Sequence, residues 1–294
     1  MRPKSINLAQ VNIAVFIWGG TAMFAKGIAL PVTDLTCLRS LFAAAALLLF
    51  IKLRGRSAKV DSKRHLGLMI GLGLFLCLHW LTYFQALKIS SAAVAILALH
   101  TYPVITALIE PVLFREPLRK SDVALALVAF SSIFIMVPEF KLSNATTQGI
   151  LLGILSGLFF MSRNLMIRKL VRTYTSSTLM FWQTMVTGVV LIPFLFLSGE
   201  SPYSSESILL LLLLGVVFTA LPQTMFASGL KNLSAKTVGI LASLLPVYGG
   251  IFGYLIHDER VALRTVLGGG LLLMCVIFET VKQASPKQAQ VSSR

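Results

Sequence analysis

The sequence predicts an all-α polytopic membrane protein: ten transmembrane helices arranged as two inverted five-helix repeats. Three observations predict it. Of 294 residues, 56% are hydrophobic and only 13% charged, with a mean hydropathy of +0.84, whereas a soluble domain carries about 25% charged residues. The chain also repeats itself at a constant offset. Leu87-Lys88-x-x-Ser91-Ala92, Pro103-Val104 and Glu116 return without a gap as Leu230-Lys231-x-x-Ser234-Ala235, Pro246-Val247 and Glu259, and Lys26 returns as Lys169. Finally, ten apolar stretches approach the roughly 20 residues needed to cross a hydrocarbon core, five in each copy. Five is odd, so the second copy must sit upside down. Inverted repeats of this kind build a substrate site between the halves near the bilayer midplane, which is a transporter arrangement.

The first repeat covers 1–143. Its first helix, 8–28, follows Met1-Arg2-Pro3-Lys4 and has no small-residue cleavage site at signal-peptide distance, so it reads as a retained span rather than a removed leader. It carries Trp18-Gly19. The second helix, 35–53, carries Arg39 and runs into a basic stretch ending at Arg64. The third, 66–87, holds His79, Trp80, Tyr83 and Gln85. The fourth, 92–114, holds His100, Tyr102 and Pro103, and the fifth covers 122–138. The second repeat, 144–294, contains helices at 149–168 (Arg163, Asn164), 177–198 (Trp182, Gln183), 207–229 (Thr219, Pro222, Gln223), 235–256 (Pro246, Tyr248) and 262–282, and a short tail.

Loop charge sets the expected orientation. With both termini inside, 19 of the 26 Lys and Arg residues fall on the cytoplasmic side, five on the outer side, and Arg39 and Arg163 within spans. This bias explains the net charge of +15 without nucleic acid as a partner; the expected surroundings are a lipid bilayer with anionic headgroups. The compactness of the chain points to a bacterial inner membrane, where the triplet Asn144-Ala145-Thr146 carries no glycan. Cys37, Cys77 and Cys275 lie in apolar runs without metal-ligand spacing and read as packing residues. No cofactor or metal site is expected.

The residues resemble the EamA-type branch of the drug/metabolite transporter superfamily over nearly the whole chain. Trp18-Gly19, Arg39, Ala86-Leu87-Lys88…Ser91-Ala92, Pro103-Val104 and Arg115-Glu116-Pro117-Leu118 carry the resemblance, and Pro246-Val247 and Asp258-Glu259-Arg260 repeat its later part. The resemblance implies ten helices, inverted five-helix repeats and movement of small metabolites, often outward.

Polar residues inside the spans mark where a substrate would sit, because such groups are costly in lipid unless they line a cavity or bond to a neighbouring helix. The candidate substrate-binding set is Trp18, His79, Trp80, Tyr83, His100, Tyr102, Trp182, Gln223 and Tyr248, with Thr219 on the face of Gln223. Pro103 and Pro246 are the candidate hinges, since each frees the carbonyl four residues earlier, at Leu99 and Ala242. Arg39 and Arg163 are expected to snorkel or to pair, and Arg163 with Asn164 could hold an anionic group. No Asp or Glu falls at mid-depth, so proton coupling, if present, would run through His79 or His100. Glu116 and Glu259 are expected to complement the helix starts that follow them. Gly67-x-x-x-Gly71, Gly153-x-x-x-Gly157 and Gly249-x-x-x-Gly253 read as helix-contact faces.

The function expected is a secondary transporter of amino acids or similar small polar or amphipathic compounds, an exporter by the habit of the resembling family, working by alternating access. It would act as a monomer or homodimer. A channel or facilitator is the alternative. An intramembrane enzyme is disfavoured because no His-x-x-x-His pair, paired intramembrane carboxylates, Gly-x-Ser-x-Gly or phosphate-binding loop is present in the sequence.

Overall fold

Inside lipid each backbone N–H and C=O must be bonded within its own segment, and a helix achieves this locally. The computed structural model describes residues 4–114, 117–118, 120–139, 141–167, 170, 173–196, 203–230, 233 and 241–283. Every regular element among them is helical: α1 (Lys4–Gly19), α2 (Thr21–Gly27), α3 (Val32–Leu53), α4 (Lys63–Ile89), α5 (Ala92–Leu99), α6 (Tyr102–Phe114), α7 (Lys120–Met136), α8 (Ala145–Ile167), α9 (Ser176–Leu195), α10 (Ser205–Gly215), a π-helical turn (Val216–Ala220), α11 (Leu221–Leu230), α12 (Leu245–His257) and α13 (Leu263–Gln283). Glu116, Lys169, Lys231 and the expected tail after 283 lie outside the described residues.

Seven segments are long and apolar enough to cross a membrane: Ile6–Phe24, Val32–Leu53, Lys63–Ile89, Ala92–Leu113, Ala145–Ile167, Ser176–Leu195 and Ser205–Phe226. The other three expected spans are shorter among the described residues. They correspond to α7, α12 and the apolar stretch Leu263–Phe278 of α13. Helix starts follow ordinary capping chemistry. Ser62, Ser91, Thr175 and Ser204 each accept a bond from the N–H three residues on, at His65, Val94, Thr178 and Ser207.

The fourth span is interrupted at His100–Thr101 and resumes as α6 with Pro103 in its first turn. The same interruption occurs at Ser243–Leu244, followed by α12 with Pro246 in its first turn. The hydrogen bonds match as well. Thr101 N–H bonds back to Ala98 O at 3.3 Å, and Leu244 N–H to Leu241 O at 3.1 Å; Ile105 bonds to Thr101 and Tyr248 to Leu244. Each of these pairs differs by the 143-residue offset. The interruptions are thus written into the repeat: a proline at this position supplies no N–H, and the preceding turn tightens instead.

Packing runs between the two halves of the chain. α3 lies along α9, α4 along α8, α1 along α11, α7 along α13, and α5 against α12 and α8. Small residues permit the closest approaches. A Cβ on Gly153 would stand 2.6 Å from Ala98 Cβ, and one on Gly157 2.9 Å from Leu99 O. Gly253 lies against Ala92 in the same manner. Gly67 does not behave as expected: a Cβ there meets nothing within 4 Å, so Gly67-x-x-x-Gly71 is not a two-glycine contact face. α4 is packed at that level through Leu68, Met69 and Leu72, but Gly67 lies on its exposed face.

Large apolar side chains such as Leu49, Leu127, Phe134, Leu209 and Phe278 face outward, while Arg39, His79, His100, Ser156, Arg163, Gln183, Thr184 and Thr219 are buried. This apolar-out, polar-in distribution suits a hydrocarbon surrounding. Cys37 and Cys77 pack with Leu191, and Cys275 joins a separate apolar cluster, as expected for packing residues.

Candidate functional site

α4 organises the buried polar interior because its two faces carry different chemistry. On one face are His79 and Tyr83, one helical turn apart, with ring centroids 6.0 Å apart and the planes stacked. His79 Nδ1 meets Ser156 Oγ on α8 at 2.7 Å, and Ser156 Oγ donates to His79 O at 2.9 Å. Gly157 beside it faces the other way, toward Leu99 and Tyr102. The ring row continues from His79 to Phe160 (4.9 Å), from Phe160 to Tyr102 (4.9 Å) and from Tyr102 to His100 (6.1 Å).

His100 stands at the first helix interruption. Its Nδ1 lies 2.8 Å from Ile96 O, and its ring also meets the backbone of Ala242, at the second interruption. The Leu99 carbonyl, freed by Pro103, faces Gly157. Both proline-freed carbonyls are therefore turned into protein rather than lipid, the only setting in which such groups are tolerated.

The other face of α4 carries Trp80 and Phe84. The Arg39 guanidinium lies over both rings, 4.1 and 4.7 Å from their centroids. Arg39 Nη2 donates to Thr219 Oγ1 at 2.7 Å, and Thr219 sits in the π-helical turn, where its hydroxyl donates to Leu214 O at 2.8 Å. Arg39 is only 3% exposed, so the expected snorkelling does not occur. The reason is lateral: α3 is flanked by α4, α9 and α10, and Arg39 is held among them by Trp80, Phe84 and Thr219. Arg163 is buried likewise. Its Nε donates to Gln183 Oε1, its Nη1 to Asn164 Oδ1 at 3.4 Å, and its cation lies over Phe160. His79 is within electrostatic reach of both arginines.

The structure brings together His79, Tyr83, His100 and Tyr102 in the ring row, with Trp80 behind them. Trp18 and Tyr248 form a neighbouring group. Trp18 packs on Phe226 at 4.9 Å, and Tyr248 meets Phe16 and donates its hydroxyl to Asn12 Oδ1 at 3.0 Å. Gln223 is half-buried on α11. Trp182 departs from the expected lining. Its indole N–H donates to Ala58 O at 2.8 Å, and it borders an open recess with Lys59, Val60, Asp61, Ser62, Lys63 and Leu66. That fastens its polar edge to the loop before α4, while its ring packs against the cluster that holds Trp80 and Tyr83. Gln183, the neighbour of Trp182, reaches the interior in its place. Ser156, and the pairings of Gln183 with Arg163 and of Arg39 with Thr219, were missed by sequence reasoning; the only signal was that each is polar inside an apolar run.

Glu259 also differs from expectation. Its carboxylate ion-pairs with Lys26, and its Oε2 accepts from Ala92 N–H at 2.7 Å. The helix start it complements is that of α5, not the α13 start that follows it. α12 ends in a left-handed turn at Asp258 (φ 50°), which carries the next residue back toward α5.

Comparison with known proteins agrees with this architecture. A solved crystal structure superposes with a TM-score of 0.68 at 18% identity, covering 97% of this chain and 100% of that one, a likeness of fold. Among sequences, an uncharacterised transporter of Bacillus subtilis, YxxF, is 25% identical over 91% of this chain and 87% of its own length. An uncharacterised transporter of Archaeoglobus fulgidus is 26% identical over 92% and 94%. The pseudopaline exporter CntI of Pseudomonas aeruginosa is 24% identical over 86% and 88%. The profile of the EamA-like transporter family matches twice in succession, at 8–137 and 147–280. The two matched stretches cover the two apolar units, and the chain is a multi-pass membrane transporter that belongs to the EamA-like transporter family.

Proposed function

We propose that the protein is a secondary transporter of amino acids or similar small amphipathic compounds. It would work by alternating access around a central site between two inverted repeats, 1–143 and 144–294. The observation that carries this reading is the pair of matched helix interruptions, meeting through His100 and the Ala242 backbone at the interface of the two units. Helix packing supports an inverted two-fold relation. Counted as spans, the contacts are 2 with 7, 4 with 9, 5 with 10, 1 with 8 and 3 with 6. Exchanging the repeats maps the first three onto themselves and exchanges the last two. A set of rigid contacts with this symmetry has an alternative, mirrored arrangement of similar energy, which is what alternating access requires.

Outward transport across a bacterial inner membrane, with both termini cytoplasmic, is the direction and setting we favour, since one relative is named an exporter and loop charge favours that orientation. The ring row of His79, Tyr83, Tyr102 and His100, with Trp80, Trp18, Tyr248 and Gln223 around it, offers aromatic surface and a few hydrogen-bonding groups, as small-molecule sites do. The test is counterflow in proteoliposomes loaded with unlabelled amino acids. Transient, saturable overshoot of labelled substrate is expected. Flux that rises linearly with concentration and shows no overshoot would identify a channel instead.

A further inference from the structure

Arg39 and Arg163 are buried cations inside spans, whereas the buried carboxylates Asp34 and Asp122 stand in the first turns of α3 and α7. Among the described residues, neither Arg39 nor Arg163 has a carboxylate within ion-pair distance. Arg163 is provided for by neutral partners, Gln183 and Asn164. Arg39 is not. Its Nη2 is bonded to Thr219, but its Nε and Nη1 are buried and have no hydrogen-bond acceptor. These two nitrogens lie on opposite sides of the planar guanidinium, each beside Nη2; the Nη2 proton that Thr219 does not take forms, with Nε or Nη1, the fork that a carboxylate engages with two parallel bonds.

The surroundings favour a ligand over a purely structural role. The rings of Trp80 and Phe84 cover the cation without supplying an acceptor. The element opposite is the π-helical turn Val216–Ala220, a distortion frequent at functional sites. Close approach is secured by Gly215, where a Cβ would lie 2.7 Å from the Arg39 carbonyl. Arg39 is about 10 Å in from the end of α3 by helical rise. A cation at that depth marks a substrate path when nothing in the protein neutralises it.

Resting on the transporter reading above, we propose that Arg39 is the carboxylate-binding residue of the transport site. One carboxylate of an amphipathic substrate binds the free Nε or Nη1 together with the second proton of Nη2, and the apolar part of that substrate lies beside the Trp80 ring. The chemical class is a small monocarboxylate or amino acid; amines and neutral amides bearing the same apolar group are poor ligands. The second buried guanidinium, Arg163, acts in the same direction.

The test uses the full chain reconstituted in lipid with Trp18→Phe and Trp182→Phe, so that Trp80 is the reporter. L-Phenylalanine, L-leucine and hexanoate are titrated against L-phenylalaninamide, L-leucinamide and hexanamide, following Trp80 fluorescence and thermal stability. The carboxylates are expected to change both signals and the amides to fall short by roughly tenfold or more, the weight of a charge-assisted hydrogen bond pair. Arg39→Gln should abolish the difference between acid and amide, and Arg39→Lys should retain part of it. Loss in Arg39→Gln of the response to acids and amides alike, rather than of the difference between them, marks a merely structural arginine and overturns the proposal. Equal response to acids and amides, or no response to any carboxylate at millimolar concentration, also overturns it. Counterflow of uncharged or cationic solutes alongside either result would leave the carrier standing without its anion site.

Discussion

At the scale of single residues, the interior is held by polar contacts between helices whose loss should be measurable. Gln183 is buried and accepts from Arg163 Nε while donating to Leu179 O at 2.8 Å. Replacing it with Leu leaves a buried guanidinium short of an acceptor, at a cost of about 1–3 kcal/mol or somewhat more for a charged group. Gln183→Leu is therefore expected to lower the thermal midpoint clearly in lipid-reconstituted protein; an unchanged midpoint would mean that Arg163 finds another acceptor. His79 has a different exposure to test. His79→Ala removes the link to Ser156 and the centre of the ring row, so transport should fall while membrane insertion is kept. Wild-type counterflow in that variant would remove His79 from the site. The roster of polar residues was legible in the sequence. Their pairing was not: one helix face of 79 and 83 follows from spacing alone, but which helix meets that face does not.

Helices and their interruptions form the next scale. Because Pro103 and Pro246 sit at matched positions in the first turn after each interruption, Ala at both should restore backbone bonding to Leu99 and Ala242 and straighten the two spans. Turnover should slow more than substrate affinity changes; equal turnover would leave the hinge role unsupported. α8 offers a packing test. A Cβ at Gly153 would fall 2.6 Å from Ala98 Cβ, so Gly153→Val should wedge α8 away from α5, costing about 1–3 kcal/mol by overpacking. The yield of folded protein is the measurement, and Gly67→Val, at a site where a Cβ meets nothing, should be tolerated. Both glycine pairs look alike in sequence. They differ because the four-residue spacing marks a smooth strip on a helix and says nothing of whether another helix lies on it.

For the whole molecule, each end of the bundle has its own fastening. At one end Glu259 joins α2 and α5 through Lys26 and the Ala92 N–H, and His257 meets Met23 O at 3.0 Å. At the other, Tyr174 OH lies 2.9 Å from His65 Nδ1 and accepts from Asp61 N–H at 3.0 Å, while Trp182 holds Ala58. Alternating access needs one of these to release at a time. Glu259→Gln weakens the first, so Ser91→Cys in a background with the three native cysteines replaced should react several-fold faster with an impermeant maleimide. Labelling at the wild-type rate would place this contact outside gating, and the side from which the reagent works reports the orientation.

Sequence alone determined the membrane class, the 143-residue repeat and the place of the helix interruptions. These depend on composition and on backbone chemistry, which each segment carries with it: apolar length, and a proline without an N–H. Only the tertiary structure decided that Arg39 is held among its neighbours rather than snorkelling, that the Trp182 indole N–H serves the loop while Gln183 turns inward, and that Glu259 caps α5 instead of the helix after it. In lipid an apolar side chain is equally at home against a tail or against another helix. Hydropathy therefore cannot mark which face of a span meets protein, and the partners of its few polar groups are settled when the helices pack.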